Sequence, residues 1–501
     1  MSAVAVPDAL ARALERWEPV VGIEVHCQLK TASKMFCGCS TAYGGAPPNT
    51  HVCPVCLGLP GVLPVINRRA VELVLATGIA VEGTTPRATR WDRKNYFYPD
   101  LPKGYQISQY DLPLASGGRL TFETSEGPLT IRIHRAHLEE DTAKLVHHVG
   151  ADGRRVSLID FNRSGAPLME IVTEPDIRSA EGARRYAEEL QLLLRTIGAS
   201  DADMERGQLR VEANVSLRVR GTEAFGTRIE VKNMNSFRSV EHAVSHEIVR
   251  QAAILEAGEA LALETRGWSD DRGATYRMRV KETSDDYRYF PEPDLPPLHV
   301  EPAWLAEIRA SIPELPAARR ARYASLGVSA AIASTIVADF DLTAGFDLTR
   351  RDNPDLPAPD VAKFITQEYA YASNTREERT PDGFPGRSNP LGVGSVIRER
   401  LGGTLSAANG KEVFSLHVET GEPVPAIIVK HGFRQISDAG ALGAVIDRVL
   451  VENPAAVADY RAGKAQAVGF LVGQVMKATR GQANAALAGA ALRARLDAAS
   501  E

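Results

Sequence analysis

The sequence predicts an α+β protein: a large, mixed and mainly antiparallel β region, then an all-α region, then a small α-helical tail. Three observations predict it. Apolar and polar residues alternate with a period of two in several segments before residue 297, as in strands with one buried face. The proline-dense run Phe290-Pro-Glu-Pro-Asp-Leu-Pro-Pro297 then breaks the pattern. Beyond it the chain turns alanine-rich and carries apolar stripes at helical spacing. The expected domains are residues 1–297, 298–395 and 396–501, in line with the length prior of about three domains.

The first strand is Val21-Gly-Ile-Glu-Val-His-Cys-Gln-Leu29. Its odd positions are apolar, and Gly22, Glu24, His26 and Gln28 share the other face. A helix is expected over about 180–197. Ser179 caps it, Tyr186, Leu190, Leu193, Leu194 and Ile197 form its stripe, and Gly198 ends it. Leu209–Val219 alternates like the first strand, with Arg210, Glu212, Asn214, Ser216 and Arg218 on the polar side. Arg228–Lys232 continues the pattern, and turn-like 220–227 makes the two a hairpin. A Gly/Pro/Asn-rich loop is expected over about 380–394. The tail holds two amphipathic stripes, Leu442/Val445/Ile446/Val449/Leu450 and Val468/Leu471/Val472/Val475/Met476. Asn453-Pro454 reads as a helix start.

Composition narrows the function classes. An apolar fraction of 44% and a charged fraction of 24% suit a soluble globular protein. The apolar run Val468–Met476 is too short to span a membrane. The N-terminus mixes acids and bases, so no secretory signal is read and a cytoplasmic location is expected. With a formal net charge of −5, nucleic-acid binding would rely on local basic patches.

Four of the five cysteines crowd one window: Cys37, Cys39, Cys53 and Cys56. C-x-C, a loop and C-x-x-C can set four thiolates tetrahedrally around a structural zinc ion. The alternative is a set of buried, idle thiols. Such a site has no open position for substrate, so it reads as scaffold.

Acids carried on other segments read as chemistry. Glu24 and His26 share a strand face; on their own they also suit a salt-bridged surface. His137-Leu-Glu-Glu-Asp141 follows the β-leaning run Leu129–Ile133, and another strand-and-loop stretch leads to Glu170 and Glu174. Carboxylates on separate strands with one histidine can converge on a divalent cation. Oxygen donors suit magnesium, calcium or manganese, and the histidine keeps manganese open. The face of Arg210, Glu212, Arg218, Glu230 and Lys232 reads either as cross-strand ion pairs or as a phosphate-binding wall. The run Trp91–Gln106 is aromatic and basic together, fit for stacking bases, lining a polar passage or packing as a loop. No P-loop exists, since Lys411 precedes Glu412 and Lys464 precedes Ala465; H-E-x-x-H and G-x-S-x-G are also absent.

Several stretches resemble the B subunits of the tRNA-dependent aspartyl/glutamyl amidotransferases. They are Gly22–His26, Asp92–Asp100, Tyr105–Gln109, His137–Asp141, Pro167–Val172, Glu230–Ser236 and Ser284–Pro293, then Gly469–Gln474 and Lys477–Asn484. The region from about 300 to 435 resembles the family only weakly. The resemblance implies a cradle-like catalytic β domain. It also implies a two-step reaction. The side-chain carboxylate of glutamate or aspartate mischarged on tRNA is phosphorylated by ATP, and ammonia then displaces the phosphate. An amidase partner, the A subunit, would supply ammonia, and the small C subunit would complete a heterotrimer. By the same resemblance Glu24, His26, Glu140 and Glu170 hold magnesium, with Glu139 and Asp141 beside them. Arg210, Arg218 and Lys232 contact phosphate. Lys94 and Lys103 lie near the active pocket or the ammonia path. Lys464, Lys477 and Arg480 grip the outer tRNA, though a solvated helix end explains the last two equally well. The competing readings are a non-catalytic zinc-ribbon protein that binds tRNA, and an independent metallohydrolase.

Overall fold

The structure is a computed structural model, and the residues described are 5–280, 287–434, 439–479 and 482–498. The chain divides into two compact units, Met1–Ala317 and Ala318–Glu501. The proline-dense run lies inside the first of them. Phe290 and Pro291 pair with Arg93 and Asp92, and Leu298 and His299 pair with Thr89 and Ala88. The prolines therefore end short edge strands, where a missing N–H costs least, and the division falls later than 297.

The longer strands in chain order are β1 (Trp17–Gln28), β2 (Asp92–Asn95), β3 (Tyr105–Ser108), β4 (Arg119–Thr124), β5 (Gly127–Glu140), β6 (Lys144–Val149), β7 (Arg155–Asp160), β8 (Pro167–Thr173), β9 (Leu209–Val219), β10 (Ile229–Met234), β11 (Glu264–Ser269) and β12 (Ala274–Val280). The main sheet runs β12–β11–β10–β9–β1–β8–β5, with β4 paired along the start of β5. Its neighbours are antiparallel except β10 and β11. That pair is parallel because a helix, Phe237–Glu256, crosses over between them. The expected hairpin of β9 and β10 is present, with Val215 opposite Ile229.

The alternation of β1 decides which face is core. Val21, Ile23, Val25 and Cys27 are fully buried. They join one apolar cluster with Tyr186, Leu190 and Leu194 of the helix Ala180–Thr196 and with Val240, Val244 and Ile248 of Phe237–Glu256. Truncating Leu190 to alanine there costs about 2–5 kcal/mol. The helix over 180–196 starts as expected: Ser179 Oγ accepts from Gly182 N at 3.0 Å, and Gly198 adopts φ 69° just past its end. Helices thus cover one face of the sheet, leaving Glu24 and His26 on the other.

One irregularity matters for the site. Val172 stands opposite Arg135 but Thr173 stands opposite Ile133, so His134 is an extra residue in β5. Ile131 and Ile133 are core residues before this bulge, and Ala136 and Leu138 after it. The bulge reverses the side-chain parity of the strand.

The second unit is helical, with helices such as Phe340–Asp352, Pro390–Leu401 and Ala407–Thr420. The loop expected over 380–394 ends early, because Asn389 caps the helix that starts at Pro390. Its glycines are there for packing: a Cβ on Gly392 would run into the His417 ring, and one on Gly394 into the Asn353 amide. The two tail stripes pack against each other. Leu442, Ile446 and Val449 pack with Val468, Leu471 and Val475 around Leu492. Pro454 opens the helix Pro454–Arg461. Among the described residues no helix is long and apolar enough to cross a membrane.

Candidate active site and cysteine cluster

Strand register builds the site. His26 of β1 stands opposite Glu170 of β8 and Arg210 of β9, and Glu170 stands opposite His137 of β5. The next rung is Arg135, Val172, Glu24 and Glu212. Directly opposed residues share a face, so both rungs project from the open side of the sheet. They floor a cavity of about 570 Å³ whose walls include Lys94, Tyr287 and Tyr289.

Two groups of possible ligands gather at this floor, all lining the cavity except Glu139, which is buried beside the others. In the first, atoms of His26, Glu139 and Glu170 lie within 4.8 Å of one another. His26 Nε2 is 3.4 Å from Glu170, and His137 Nε2 is 3.4 Å from Glu170 and 3.6 Å from Glu139. Ser108 Oγ donates to Glu139 at 2.9 Å. Burial opposes the charge on Glu170, but His137, His26 and Lys94 outweigh it and hold the carboxyl well below its usual range. Burial likewise opposes protonation of His26, yet the hydrogen bond and charge of Glu170 prevail and raise its pKa to about 9. In the second group, carboxylate oxygens of Glu24, Glu212 and Glu230 lie within 4.8 Å. Asn214 donates to Glu24 at 2.7 Å, Thr265 donates to Glu230 at 2.7 Å, and Lys232 bonds Glu212 at 2.7 Å. Both donor sets suit a hard or borderline divalent cation, and the histidine shifts the first toward manganese or another imidazole-tolerant ion.

A second cavity of about 240 Å³ is lined by Lys103, Glu140, Cys37 and Cys56. Glu140 lies here because it follows Glu139 on a strand and so points the opposite way. Lys103 Nζ sits 2.6 Å from its carboxylate, and Ile107 N donates to it at 2.9 Å. The turn after Cys56 presses on Lys103: a Cβ on Gly58 would overlap the lysine chain.

The cysteine window folds as a ligand set. The sulfur atoms of Cys37, Cys39, Cys53 and Cys56 lie within 4.8 Å of one another, and none of the cysteines is disulfide-bonded. Cys56 Sγ accepts from Cys53 N at 3.2 Å and from Lys34 Nζ at 3.5 Å. Its pKa is lowered to about 4, chiefly by the Cys37 thiol and, against burial, by the Cys53 amide and Lys34. Lys34 itself is buried and also donates to the His51 and Phe161 carbonyls. Four sulfurs with N–H donors around them fit a structural zinc ion.

Comparison with known proteins places this geometry. The GatB/GatE catalytic-domain profile matches residues 19–306, and the GatB-domain profile matches 358–496. The B subunit of the aspartyl/glutamyl-tRNA(Asn/Gln) amidotransferase of Moorella thermoacetica is 49% identical over 96% of this chain and 100% of its own. The B subunit from Thermomicrobium roseum is 49% identical over 94% of this chain and 97% of its own. That of Anaeromyxobacter dehalogenans is 47% identical over 96% and 99%. The chain belongs to the family of amidotransferase B subunits.

Within the site the expected residues separate. Glu24, His26 and Glu170 share the large cavity, with Lys94 on its wall. Glu140 does not join them; Glu139 stands in that place, and Glu140 pairs with Lys103 in the second cavity. Of the expected phosphate contacts, Arg210 pairs with Asp141 at 3.2 Å and Arg218 with Glu18 at 2.5 Å, while Lys232 is held by Glu212 and Glu230. These favour the ion-pair reading of that face. Lys464 is exposed and paired with Asp459 at 2.8 Å, a contact of little energy. Lys477 is exposed in the last turn of Ala467–Ala478. Arg480 lies outside the described residues. Sequence reasoning passed over His137 as a ligand neighbour and Glu212 and Glu230 as a second acidic group. The strand register was the signal that would have joined them.

Proposed function

We propose that this chain activates the side-chain carboxylate of glutamate or aspartate mischarged on tRNA-Gln or tRNA-Asn with ATP, and amidates it with ammonia from a partner amidase. The observation that carries the reading is the pair of ligand groups side by side on one cavity floor, under a wall bearing Lys94. Phosphoryl transfer needs positioning and charge neutralisation rather than a protein nucleophile. A substrate carboxylate oxygen attacks the γ-phosphorus, ADP departs, and an acyl phosphate forms. Ammonia then adds to the acyl carbon, and inorganic phosphate leaves. Magnesium ions held by His26, Glu139 and Glu170 and by Glu24, Glu212 and Glu230 would supply charge neutralisation at the transferred phosphoryl group. Lys94 is suited to draw the phosphoryl oxygens. Burial opposes its charge, but Glu139 and Glu170 prevail, and the ammonium stays protonated above the usual lysine range.

Lys103 and Glu140 belong, in this reading, to the ammonia's approach: a polar pair in a small cavity outside the acidic floor. Zinc on the cysteine quartet would be scaffold, pinning the turn that carries Gly58 against Lys103. Lys464, Lys477 and Arg480 would meet the tRNA backbone, and the amidase and the small third protein would complete a cytoplasmic heterotrimer. The deciding experiment reconstitutes the heterotrimer with mischarged tRNA. His26→Ala should abolish Mg²⁺- and ATP-dependent amide formation while glutamine hydrolysis by the partner persists. Full amidation by that variant would overturn the reading. Both Glu-tRNA(Gln) and Asp-tRNA(Asn) belong in the assay.

A further inference from the structure

The large cavity contains cations that form no direct ion pair with a carboxylate among the described residues. Lys232 is spent on Glu212 and Glu230, and His134 on Glu174 at 2.9 Å. Arg135 differs. It stands on β5 at the end of the rung that carries Glu24 and Glu212. One terminal nitrogen donates to the Tyr110 carbonyl at 3.2 Å, its Nε is buried without a partner, and no carboxylate pairs with it among the described residues. Arg228 is exposed just before β10 and lines both this cavity and an adjoining one bounded by Gly22, Pro175 and Phe225. It makes no hydrogen bond or ion pair among the described residues. Lys94 completes the set, its ammonium 5.1 Å from the centre of the Tyr287 ring and without a hydrogen bond among the described residues.

The floor below them is the reverse, with Glu24, Glu139, Glu170, Glu212 and Glu230 gathered in two groups. A bare anion is repelled from such a floor. An anion that arrives with divalent cations is drawn to it, and needs further positive charge on its outer side. Arginine offers a planar fork of donors that matches phosphate oxygens, and an open fork beside a metal-ligand floor suits a phosphate sandwiched between the two.

We propose that Arg135 and Arg228, together with Lys94, form the phosphate-binding rim of the large cavity, opposite its metal-ligand floor. This rests on the proposed reaction and assigns its phosphate contacts to residues other than Arg210 and Arg218. The phosphate has two possible sources, the triphosphate of the nucleotide or the phosphodiester end of the tRNA.

The test uses the reconstituted complex carrying Arg135→Gln or Arg228→Gln. Affinity for Mg·ATP and affinity for tRNA are measured separately, and Mn²⁺ binding without nucleotide reports the floor. The expected result is Mg·ATP binding weaker by about tenfold or more in each variant, the scale of one lost charge-assisted hydrogen bond. Mn²⁺ affinity should be unchanged, and Arg135→Lys should recover part of the loss. If tRNA affinity falls instead and Mg·ATP affinity holds, the rim stands and its ligand is the tRNA phosphate. Should a glutamine variant lose Mn²⁺, the corresponding Arg135→Lys or Arg228→Lys is read in its place. Unchanged affinity for both ligands in both variants overturns the proposal. A wild-type complex that binds Mg·ATP normally but never amidates charged tRNA would sink the proposed reaction and leave the rim standing.

Discussion

The cysteine cluster and the acidic floor both gather ligands, but from different kinds of backbone. Cys37, Cys39, Cys53 and Cys56 hang from turns and irregular loop, with Lys34 as the buried link between their segments. His26, Glu139 and Glu170 hang from three adjacent strands, and Glu24, Glu212 and Glu230 from three as well. A ladder fixes its side chains before any ion arrives. Loops brought together by thiolates depend on the ion to stay together. Under the proposed function, the first region would suit an ion that remains and the second ions that come with substrate.

The sharpest way to break this contrast is to remove one ligand from the floor. Glu170→Gln should lower amide formation on the order of 10²–10³-fold, the usual cost of one preorganised electrostatic group, with the zinc content of the chain unchanged. Wild-type rates in a single-turnover assay would refute the floor as the reactive region. Next come the neighbours on β5. Glu139→Gln should weaken Mn²⁺ binding by about 10–100-fold, whereas Glu140→Gln should leave it intact and impair glutamine-driven amidation more than amidation from added ammonium. Equal Mn²⁺ losses in both variants would erase the distinction between the cavities.

Cys56→Ser reverses the pattern. Zinc content by elemental analysis should fall, and the melting temperature should drop by several degrees, at roughly 2–4 °C per kcal/mol for units of this size. Mn²⁺ affinity at the floor should stay close to wild type. The last contrast is a pH dependence. In the metal-free chain the His26 pKa is raised to about 9 from an ordinary value near 6.5. Its protonated pairing with Glu170 thus stabilises the fold fully below pH 6.5 and is lost as pH rises through about 9. A metal ion must displace that proton, so Mn²⁺ affinity should climb by up to about tenfold per pH unit across this window and flatten in His26→Ala. A flat profile in the wild type would count against His26 as a ligand.

Much of this was legible in the chain because local patterns ran uninterrupted. β1, β9 and the helix from Ala180 follow from alternation, stripe and cap, and the four cysteines announce themselves by spacing. What escaped was set by contacts distant in sequence. Extending the alternation of Ile131 and Ile133 would put Glu140 on the open face; the bulge at His134 puts Glu139 there instead. Gly392 and Gly394 look like loop residues until His417 and Asn353 pack on them. Glu18 shows no link to Arg218 until β1 and β9 pair and bring them opposite each other.

The adjacency of Glu139 and Glu140 has a consequence for how this chain can vary. Their Cα atoms are one peptide apart, about 3.8 Å, yet their carboxylates serve separate chambers. Adding or deleting one residue between Ile133 and Glu139 would exchange the two chambers' acids in one step. Length change in that short segment is thus forbidden even where individual side chains are replaceable, and insertions in natural or engineered relatives should collect in turns such as the one joining β6 and β7.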